Sequence, residues 1–246
     1  MLNLIGIGLG NEKDLTLNAL EAIKKSDIIY LENYTSLIGF DIKDLEKLIE
    51  KKINLVDRSF VEGEILIEEA KDKDVSILIK GDVFSATTHG SLLLNARENK
   101  IKVKIFHNSS ILTAIGDTGL SLYKFGKTVS IPFDNKNVNS SYDVFLDNKN
   151  MHTLFLLDLK PSENKFMNFK DGLNYLLEKS KIRNDGKFNL NSKCIVCCAI
   201  GTNKEAIRYG FVKDLIKLNL DVYPQCFIVP GDLHFMEEEI LELYKI

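Results

Sequence analysis

The sequence has few of the features that mark disordered, fibrous or membrane-spanning chains. Its 246 residues include only 15 glycines and 4 prolines, and 45% are hydrophobic, which excludes collagen-like and low-complexity chains. No apolar run approaches the ~20 residues that a bilayer-spanning helix needs. The apolar start lacks a preceding basic segment and is interrupted by Gly6, Gly8 and Gly10, which argues against a signal peptide. We therefore expect a soluble, cytoplasmic protein that does not associate with membranes.

The chain also lacks an excess of positive charge. Thirty-two Lys and Arg residues stand against 35 Asp and Glu residues, for a net charge of -3. A chain of this charge has no global field that attracts nucleic acid. We expect no direct nucleic-acid partner.

Cysteine is scarce, and three of the 4 cysteines lie in one apolar run. Cys194, Cys197 and Cys198 belong to a segment that is typical of a buried strand. Residues three apart on a strand face opposite sides, so Cys194 and Cys197 cannot readily bind one metal ion. The sequence therefore predicts core cysteines in a reducing compartment and no metal site.

Apolar runs alternate with helical patterns in the first part of the chain. The runs cover residues 2–7, 27–31, 53–56, 75–79 and 101–106, and Asp14 is the candidate cap of the first helix. Because the run at 75–79 is almost entirely apolar, we expect a strand covered on both faces, as in parallel sheets. The pattern predicts an α/β fold whose N-terminal domain has a largely parallel sheet.

After about residue 112 the apolar runs are separated by longer polar connections, which predicts a second α/β domain. Its strands are expected at residues 127–133, 152–159, 194–200 and 226–229, with exposed loops at 134–140 and 183–192. A final helix at 233–244 would place Met236, Ile240 and Leu243 on one stripe that packs on the second sheet. Glu237 would complement the dipole of that helix. The predicted domains are 1–111 and 112–246.

Ligands in open α/β sheets bind beyond the carboxyl ends of the strands, so the glycine-rich turn at residues 6–10 is a first candidate site. Glycines allow the backbone to approach a ligand, or simply to turn sharply. An NAD site is weakly indicated, because Glu32 ends the second strand but Asn11 stands where the third fingerprint glycine belongs. The turn is therefore a ligand site or a structural turn.

Two further candidates follow the fourth and fifth strands. In the segment after the fourth strand, Asp82 is positioned to accept hydrogen bonds from a ligand, and Thr87 or Thr88 would cap the next helix and expose its N–H groups to an anion. In the segment after the fifth strand, Ser110 offers a hydroxyl to a ligand or caps a helix. The sequence has no Gly-x-Ser-x-Gly elbow and no P-loop. The chemistry therefore needs no strong nucleophile.

Taken together, these segments closely resemble the diphthine synthases. The resemblance is carried by residues 4–10, 32–36, 81–89 (Gly-Asp-Val-Phe-Ser-Ala-Thr-Thr-His), 107–111 (His-Asn-Ser-Ser-Ile), 123–126, 152–154, 157–160 and 229–234. Their order and spacing match from end to end, most strongly over residues 1–133 and least in the loops near 134–150 and 161–193. The resemblance implies a fold of the tetrapyrrole-methylase type, with two α/β domains, S-adenosylmethionine in the cleft between them, and a homodimer.

The implied activity is methylation of a modified histidine on translation elongation factor 2, a step of diphthamide biosynthesis that releases S-adenosylhomocysteine. The cofactor contacts that the resemblance implies are Leu9, Asp82, Ser85, Ser110, Ile111, Leu157, Ile200 and Gln225, and no catalytic residue is identified. The chain departs from the family at Val83, where Pro is frequent, and at Gln225, where archaeal relatives have His. An amide at position 225 can still donate and accept a hydrogen bond.

The sequence leaves two other functions open. The first is a tetrapyrrole methyltransferase, which the segments 86–89 and 123–126 disfavour. The second is a binding module without activity, against which Asp82, Ser85 and Ser110 argue.

Within the main interpretation, segments 107–111, 128–131 and 152–158 are nearer the eukaryotic pattern. A product with four methyl groups, one of them a methyl ester, is therefore favoured over a product with three.

Overall fold

The strands and helices of the first part of the chain alternate as its apolar runs predict. The computed structural model describes residues 1–246 and has strands β1 Leu2–Gly6, β2 Ile28–Glu32, β3 Asn54–Val56, β4 Val75–Ile79 and β5 Val103–Phe106. The helices of this part are α1 Leu17–Lys25, α2 Ile42–Ile49, α3 Arg58–Val61, α4 Ile65–Asp72, α5 Gly90–Glu98 and α6 Ile111–Ala114. They belong to a first compact unit, Met1–Ala114 together with Gly201–Asn203.

The five strands of this unit form one parallel sheet in the order β3-β2-β4-β1-β5. Strand β4 is buried along its whole length, and Ile77 and Leu78 belong to separate apolar clusters on the two faces of the sheet. This confirms the prediction from its apolar run. Because Gly6 of β1 is in register with Ile79 of β4, the segments that follow these two strands start side by side.

Two helix caps differ from those predicted. The cap of α1 is Thr16, whose hydroxyl accepts a hydrogen bond from the Ala19 amide at 3.2 Å. Asp14 lies instead in a short 3-10 turn before that helix, so its carboxylate is directed elsewhere. Helix α5 begins after His89 without a side-chain cap. The Thr87 hydroxyl donates to the Val83 carbonyl at 2.7 Å, because the loop after β4 folds back on itself.

The second unit consists of Ile115–Ile200 and Lys204–Ile246. Its strands are β6 Val129–Ile131, β7 Thr153–Leu157, β8 Leu159–Lys160, β9 Lys165–Phe166, β10 Lys193–Cys198, β11 Ala206–Phe211 and β12 Gln225–Val229. Its helices are α7 Ser140–Asn148, α8 Phe169–Arg183, α9 Val212–Leu215 and α10 Phe235–Leu241. Five strands form a mixed sheet in the order β11-β10-β12-β7-β6, in which only β6 and β7 run parallel.

The cysteines lie in the core of this second sheet, as predicted. All four are buried free thiols. Cys194 and Cys198 join the main apolar cluster of the unit, whereas Cys197 faces the other side of β10. Burial raises the pKa of the Cys194 thiol well above its ordinary value, so this group is unreactive at neutral pH.

The sequence predicts loops near 134–150 and 161–193, but these stretches contain α7 and α8. Helix α8 buries Phe169, Leu173 and Leu176, at spacings of four and three residues. That helical period was present in the sequence but was masked by the surrounding Asn and Lys residues. None of the helices combines the length and the apolar character that crossing a bilayer requires.

The predicted apolar stripe of the last helix is wrong. Met236 is 47% exposed and Leu243 is 79% exposed, whereas Glu237 and Leu241 are buried. Glu237 completes a capping box with His234. The inward face of α10 is therefore partly polar, because a buried hydrogen-bond network takes the place of an apolar contact.

Candidate functional site

The turns after β1 and β4 are joined by their main chains at the carboxyl edge of the parallel sheet. Gly8 and Gly81 exchange two backbone hydrogen bonds, of 3.2 Å and 3.0 Å. Both glycines have positive φ, 75° and 79°, which other residues adopt only with strain. A Cβ atom on Gly8 would lie 2.6 Å from the Cβ of Asp14. Glycine at position 8 is therefore required both by the turn and by the space beside it.

Asp82 organises the loop that follows. One carboxylate oxygen accepts hydrogen bonds from His107 Nδ1 at 2.8 Å and from the Asn108 amide at 3.1 Å. The other accepts from the Phe84 amide at 3.0 Å and from the Ser85 hydroxyl at 3.3 Å. The carboxylate thereby joins the segment after β4 to the segment after β5.

Asp82 is held in its ionised form. Burial alone would raise the pKa of this carboxyl, but the hydrogen bonds from the Phe84 and Asn108 amides and from His107 outweigh burial and lower the pKa. A carboxylate has about four acceptor positions, and four protein donors already approach this one. The carboxylate therefore fixes the conformation of the loop.

Asn108 is a further residue of this edge that the sequence did not single out. Its side-chain amide donates to the carbonyls of Gly6 and Asp14, both at 3.0 Å. It thus connects the segment after β5 to the glycine turn. An amide directly after a strand is a weak signal, and only the contacts reveal that it holds two loops together.

The predicted residues Leu9, Asp82, Ser85, Ser110 and Ile111 all belong to the first unit. Leu9 lies in the glycine turn, and its side chain packs against Gly201, where a Cβ atom would come within 2.9 Å of Leu9 Cδ1. Ser110 is buried and directly precedes α6. The hydrogen-bonding hydroxyl of that helix start belongs to Thr113, which contacts both the amide and the carbonyl of Ser110.

The other three predicted residues, Leu157, Ile200 and Gln225, belong to the second unit. Leu157 ends β7 and is 7% exposed, and Ile200 follows β10 and is 6% exposed. The Gln225 side chain accepts a hydrogen bond from the Phe169 amide at 2.8 Å and donates to the carbonyls of Leu220 and Val222. All three hydrogen bonds lie within the second unit, and the bond from Phe169 is at the first turn of α8.

The carboxylate of Glu32, the residue that suggested a ribose contact, is hydrogen-bonded within its own turn. Its buried carboxylate accepts hydrogen bonds from the amides of Tyr34 and Thr35, at 3.1 Å and 3.0 Å, and from the Thr35 hydroxyl. The carboxylate stabilises the turn after β2. This geometry favours the structural interpretation of Glu32 over a dinucleotide site.

The second unit contains a carboxylate–histidine pair of its own. Glu237 accepts hydrogen bonds from His152 Nε2 at 3.3 Å, from Lys124 Nζ, and from the amides of Ser121 and His234. The side chains of Glu237 and His152 are 2% and 0% exposed. This pair is sealed inside the unit, and no group of three or more His, Cys, Asp or Glu side chains in the chain has a metal-binding arrangement.

Comparison with known proteins extends these observations to the whole chain. Residues 1–216 match the tetrapyrrole (corrin/porphyrin) methylases. The chain is 43% identical to a diphthine synthase of Methanococcus maripaludis, with 98% of each chain covered. It is 40% identical to a diphthine methyl ester synthase of Dictyostelium discoideum, with 100% of this chain and 98% of that protein covered. A crystal structure from Entamoeba histolytica, assigned as a diphthine synthase, superposes with a TM-score of 0.93 at 35% identity and covers 100% of this chain and 98% of that chain.

Proposed function

This chain belongs to the tetrapyrrole methylase family and, within it, to the diphthine synthases, and from that membership we propose that it transfers methyl groups from S-adenosylmethionine to the aminocarboxypropyl-modified histidine of elongation factor 2. The observation that carries the proposal is the full-length match at 43% and 40% identity. The organised edge of the parallel sheet supports it. Diphthamide biosynthesis is the process in which this step takes place.

The residues proposed to hold the cofactor are Leu9, Asp82, Ser85, Ser110, Ile111, Leu157, Ile200 and Gln225. The chemistry of the first unit suits this ligand. Two positive-φ glycines bring main-chain groups of adjacent turns to the sheet edge, and an ionised Asp82 keeps the next loop in one conformation. Main-chain donors and acceptors with nearby hydroxyls match the polar adenosine and amino-acid groups of S-adenosylmethionine.

S-adenosylmethionine, when bound, supplies a methyl group on an already activated sulfonium. The chain then has to orient the acceptor in line with that methyl group and exclude water, and positioning of this kind supplies up to about 7–11 kcal/mol. The acceptor amine resembles an α-amino group, with an ordinary pKa of about 8. It needs little help from a general base, which agrees with a site built from turns, hydroxyls and a carboxylate that is already hydrogen-bonded.

The substrate is tested by a radiolabelled methyl-transfer assay. Elongation factor 2 bearing the aminocarboxypropyl histidine should accept label from S-adenosylmethionine, whereas the unmodified factor and free histidine should not. The unmodified factor is the matched control, because it presents the same docking surface without the acceptor. Labelling of a tetrapyrrole but not of the modified factor would instead establish the alternative, which the full-length relatives do not favour.

We propose a product with four methyl groups, because segments 107–111, 128–131 and 152–158 of this chain resemble the eukaryotic pattern. Relatives named for both products match this chain, so the product is decided by intact-peptide mass spectrometry after exhaustive reaction. Four methyl groups, one of them removed by mild alkali, are expected. Three methyl groups that resist alkali would contradict the proposal.

We further propose that the enzyme is cytoplasmic, since its substrate functions in cytoplasmic translation, and that it is a homodimer, as the resemblance to the diphthine synthases implies. Light scattering at micromolar concentration should give twice the 27.9 kDa mass of the chain. A mass equal to that of one chain would contradict the dimer.

A further inference from the structure

One peptide group in the glycine turn is held at both of its polar atoms by charged side chains. The carbonyl of Leu9 accepts a hydrogen bond from Lys80 Nζ. The amide of Gly10, which belongs to the same peptide group, donates to a carboxylate oxygen of Asp14 at 2.6 Å. A cation and an anion thus fix the orientation of the peptide between Leu9 and Gly10.

Lys80 is an unusual residue for its position. It follows the buried strand β4 and precedes Gly81, and only 8% of its surface is exposed. Its ammonium lies 5.4 Å from the centre of the Phe40 ring. A buried ammonium is costly unless it is hydrogen-bonded, and replacing a buried ion by an apolar side chain is often neutral for stability or stabilising. The energetic cost indicates a role in arranging the turn.

The rest of the turn leaves little freedom for this peptide. The side chain of Leu9 is packed against Gly201, and a Cβ atom on Gly10 would lie 3.0 Å from the Asp14 carboxylate. With Gly8 at φ 75° on the preceding side, the peptide can adopt another orientation only by breaking the contact with Lys80 or with Asp14. The two charged residues therefore decide which way its carbonyl and its amide point.

We propose that Lys80 and Asp14 are positioning residues that together orient the Leu9–Gly10 peptide for binding of the cofactor. The proposal rests on the proposed function, in which Leu9 contacts S-adenosylmethionine. Neither residue touches the reacting atoms. They act through the main chain of the turn, by charge-assisted hydrogen bonds that are about twice as strong as neutral ones.

The protonation of Lys80 makes the proposal measurable. Burial lowers the pKa of Lys80 to about 8, and the carboxylate of Asp14 opposes this shift. The other carboxylate of the adjoining loop, Asp82, is paired with His107 and with main-chain amides. Raising the pH through 8 therefore removes the charge from Lys80 and weakens its hydrogen bond to the Leu9 carbonyl.

The test is calorimetric titration with S-adenosylhomocysteine of the wild type, Lys80→Met, Asp14→Ala and the double variant at pH 7. Each single variant should bind about tenfold more weakly, the loss of one charge-assisted hydrogen bond. Because both residues hold one peptide, the double variant should lose clearly less than the product of the two single losses. Unchanged affinity in both single variants, or losses that multiply fully, would overturn the proposal.

A pH series supplies a readout that a purely structural role would not change. Wild-type affinity should fall about threefold between pH 7 and pH 9, because a neutral amine is a weaker donor than an ammonium. Lys80→Met should lack this component, so it also corrects for titration of the ligand amine, and Lys80→Arg should keep a charged donor at both pH values. Equal slopes in the wild type and Lys80→Met would overturn the proposal.

The outcomes separate this inference from the proposed function. A wild type that does not bind S-adenosylhomocysteine at all contradicts both. A wild type that binds, with variants that bind equally well, contradicts only the roles of Lys80 and Asp14. If Lys80→Met does not fold, Asp14→Ala and the pH series of the wild type compared with Lys80→Arg still decide the question.

Discussion

The two units each contain a carboxylate paired with a histidine, and the pairs differ mainly in their access to solvent. In the first unit the side chain of Asp82 is 9% exposed but that of its partner His107 is 67% exposed. In the second unit the side chains of Glu237 and His152 are both almost fully buried. The open pair orders loops at the edge of the parallel sheet, whereas the closed pair joins α10 to the start of β7 and to the segment at 121–124.

The comparison shows that a hydrogen-bonded pair of the same chemical type orders loops beside solvent in one place and is sealed in the interior in another. Burial would raise the pKa of Glu237, but hydrogen bonds from the His234 amide, Lys124 and the Ser121 amide lower it well below its ordinary value. The energy of that network goes into folding, because the side chains of Glu237 and His152 are almost fully buried. The Asp82 network instead leaves one partner at the surface, beside the loop proposed to contact the cofactor.

The largest effect is expected when Glu237 is replaced by alanine. The change leaves Lys124, His152 and two amides without their acceptor, and breaking a buried charge network typically costs about 3–5 kcal/mol. Urea unfolding followed by circular dichroism should show this loss, with Glu238→Ala, an exposed neighbour, within about 0.5 kcal/mol of the wild type. A Glu237→Ala protein as stable as its control would remove the distinction between the two pairs.

Replacing Gly8 by valine should have the next largest effect, on cofactor binding. A β-branched residue is strained at φ 75°, and its Cβ would overlap Asp14. We expect at least about a hundredfold loss of affinity for S-adenosylhomocysteine, or ~2.7 kcal/mol. Gly39→Val is the matched control, since a Cβ there meets no atom within 4 Å. Equal affinities in the two variants would contradict the assignment of the turn to the site.

Asp82→Ala should weaken binding by about tenfold, or ~1.4 kcal/mol, because the Phe84 and Asn108 amides lose their acceptor and the loop loses its fixed conformation. The cost to stability should be smaller than for Glu237→Ala, since His107 is already in water. Calorimetry and urea unfolding on the same samples measure both quantities. Unchanged affinity would show that the Asp82 pair, like the Glu237 pair, is only structural.

The smallest effect is expected from protonation of the closed pair. Burial lowers the pKa of His152 in the folded protein, against the opposing effect of Glu237. Below the ordinary histidine pKa of about 6.5, the unfolded chain therefore binds a proton that the folded protein does not, and the free energy of unfolding falls as the pH drops from 7 to 5. The slope is at most about 1.4 kcal/mol per pH unit for each such histidine.

Substitution of His152 tests this expectation directly. The slope should become shallower in His152→Asn, measured by urea unfolding at each pH. A slope equal to that of the wild type would show that burial of His152 does not contribute to the acid sensitivity.

Most strand positions along the chain could be predicted from the sequence, because the evidence for them is local. The run at 75–79 is apolar at nearly every position and coincides with β4. The sequence does not predict strand β11, because Arg208 and Gly210 interrupt its apolar residues and only alternate side chains, Ile207 and Tyr209, point inward. A half-buried strand at the edge of a mixed sheet has no continuous apolar run.

The sequence could predict where the candidate site lies, but not which hydrogen bonds hold its loops together. Small and polar residues after β1, β4 and β5 identified the sheet edge, since the carboxyl ends of parallel strands meet there. The roles of Asn108 and Lys80 were not visible, because each residue contacts a main-chain carbonyl that lies 71 or more positions away. The sequence predicts a helix cap at Asp14, because the 3-10 turn that redirects its side chain has no distinct sequence signal.

The sequence by itself determined the α/β class, the buried cysteine strand and the glycine turn, since hydrophobic period and glycine position act over a few neighbouring residues. Only the tertiary structure decided which carboxylates are sealed and which border an open loop. Glu237 looked like an ordinary helix-start residue until Ser121, Lys124 and His152 were brought against it from more than 80 positions away. Burial is a property of the whole packed unit, so the same acidic side chain becomes a structural ion in one place and a loop organiser in another.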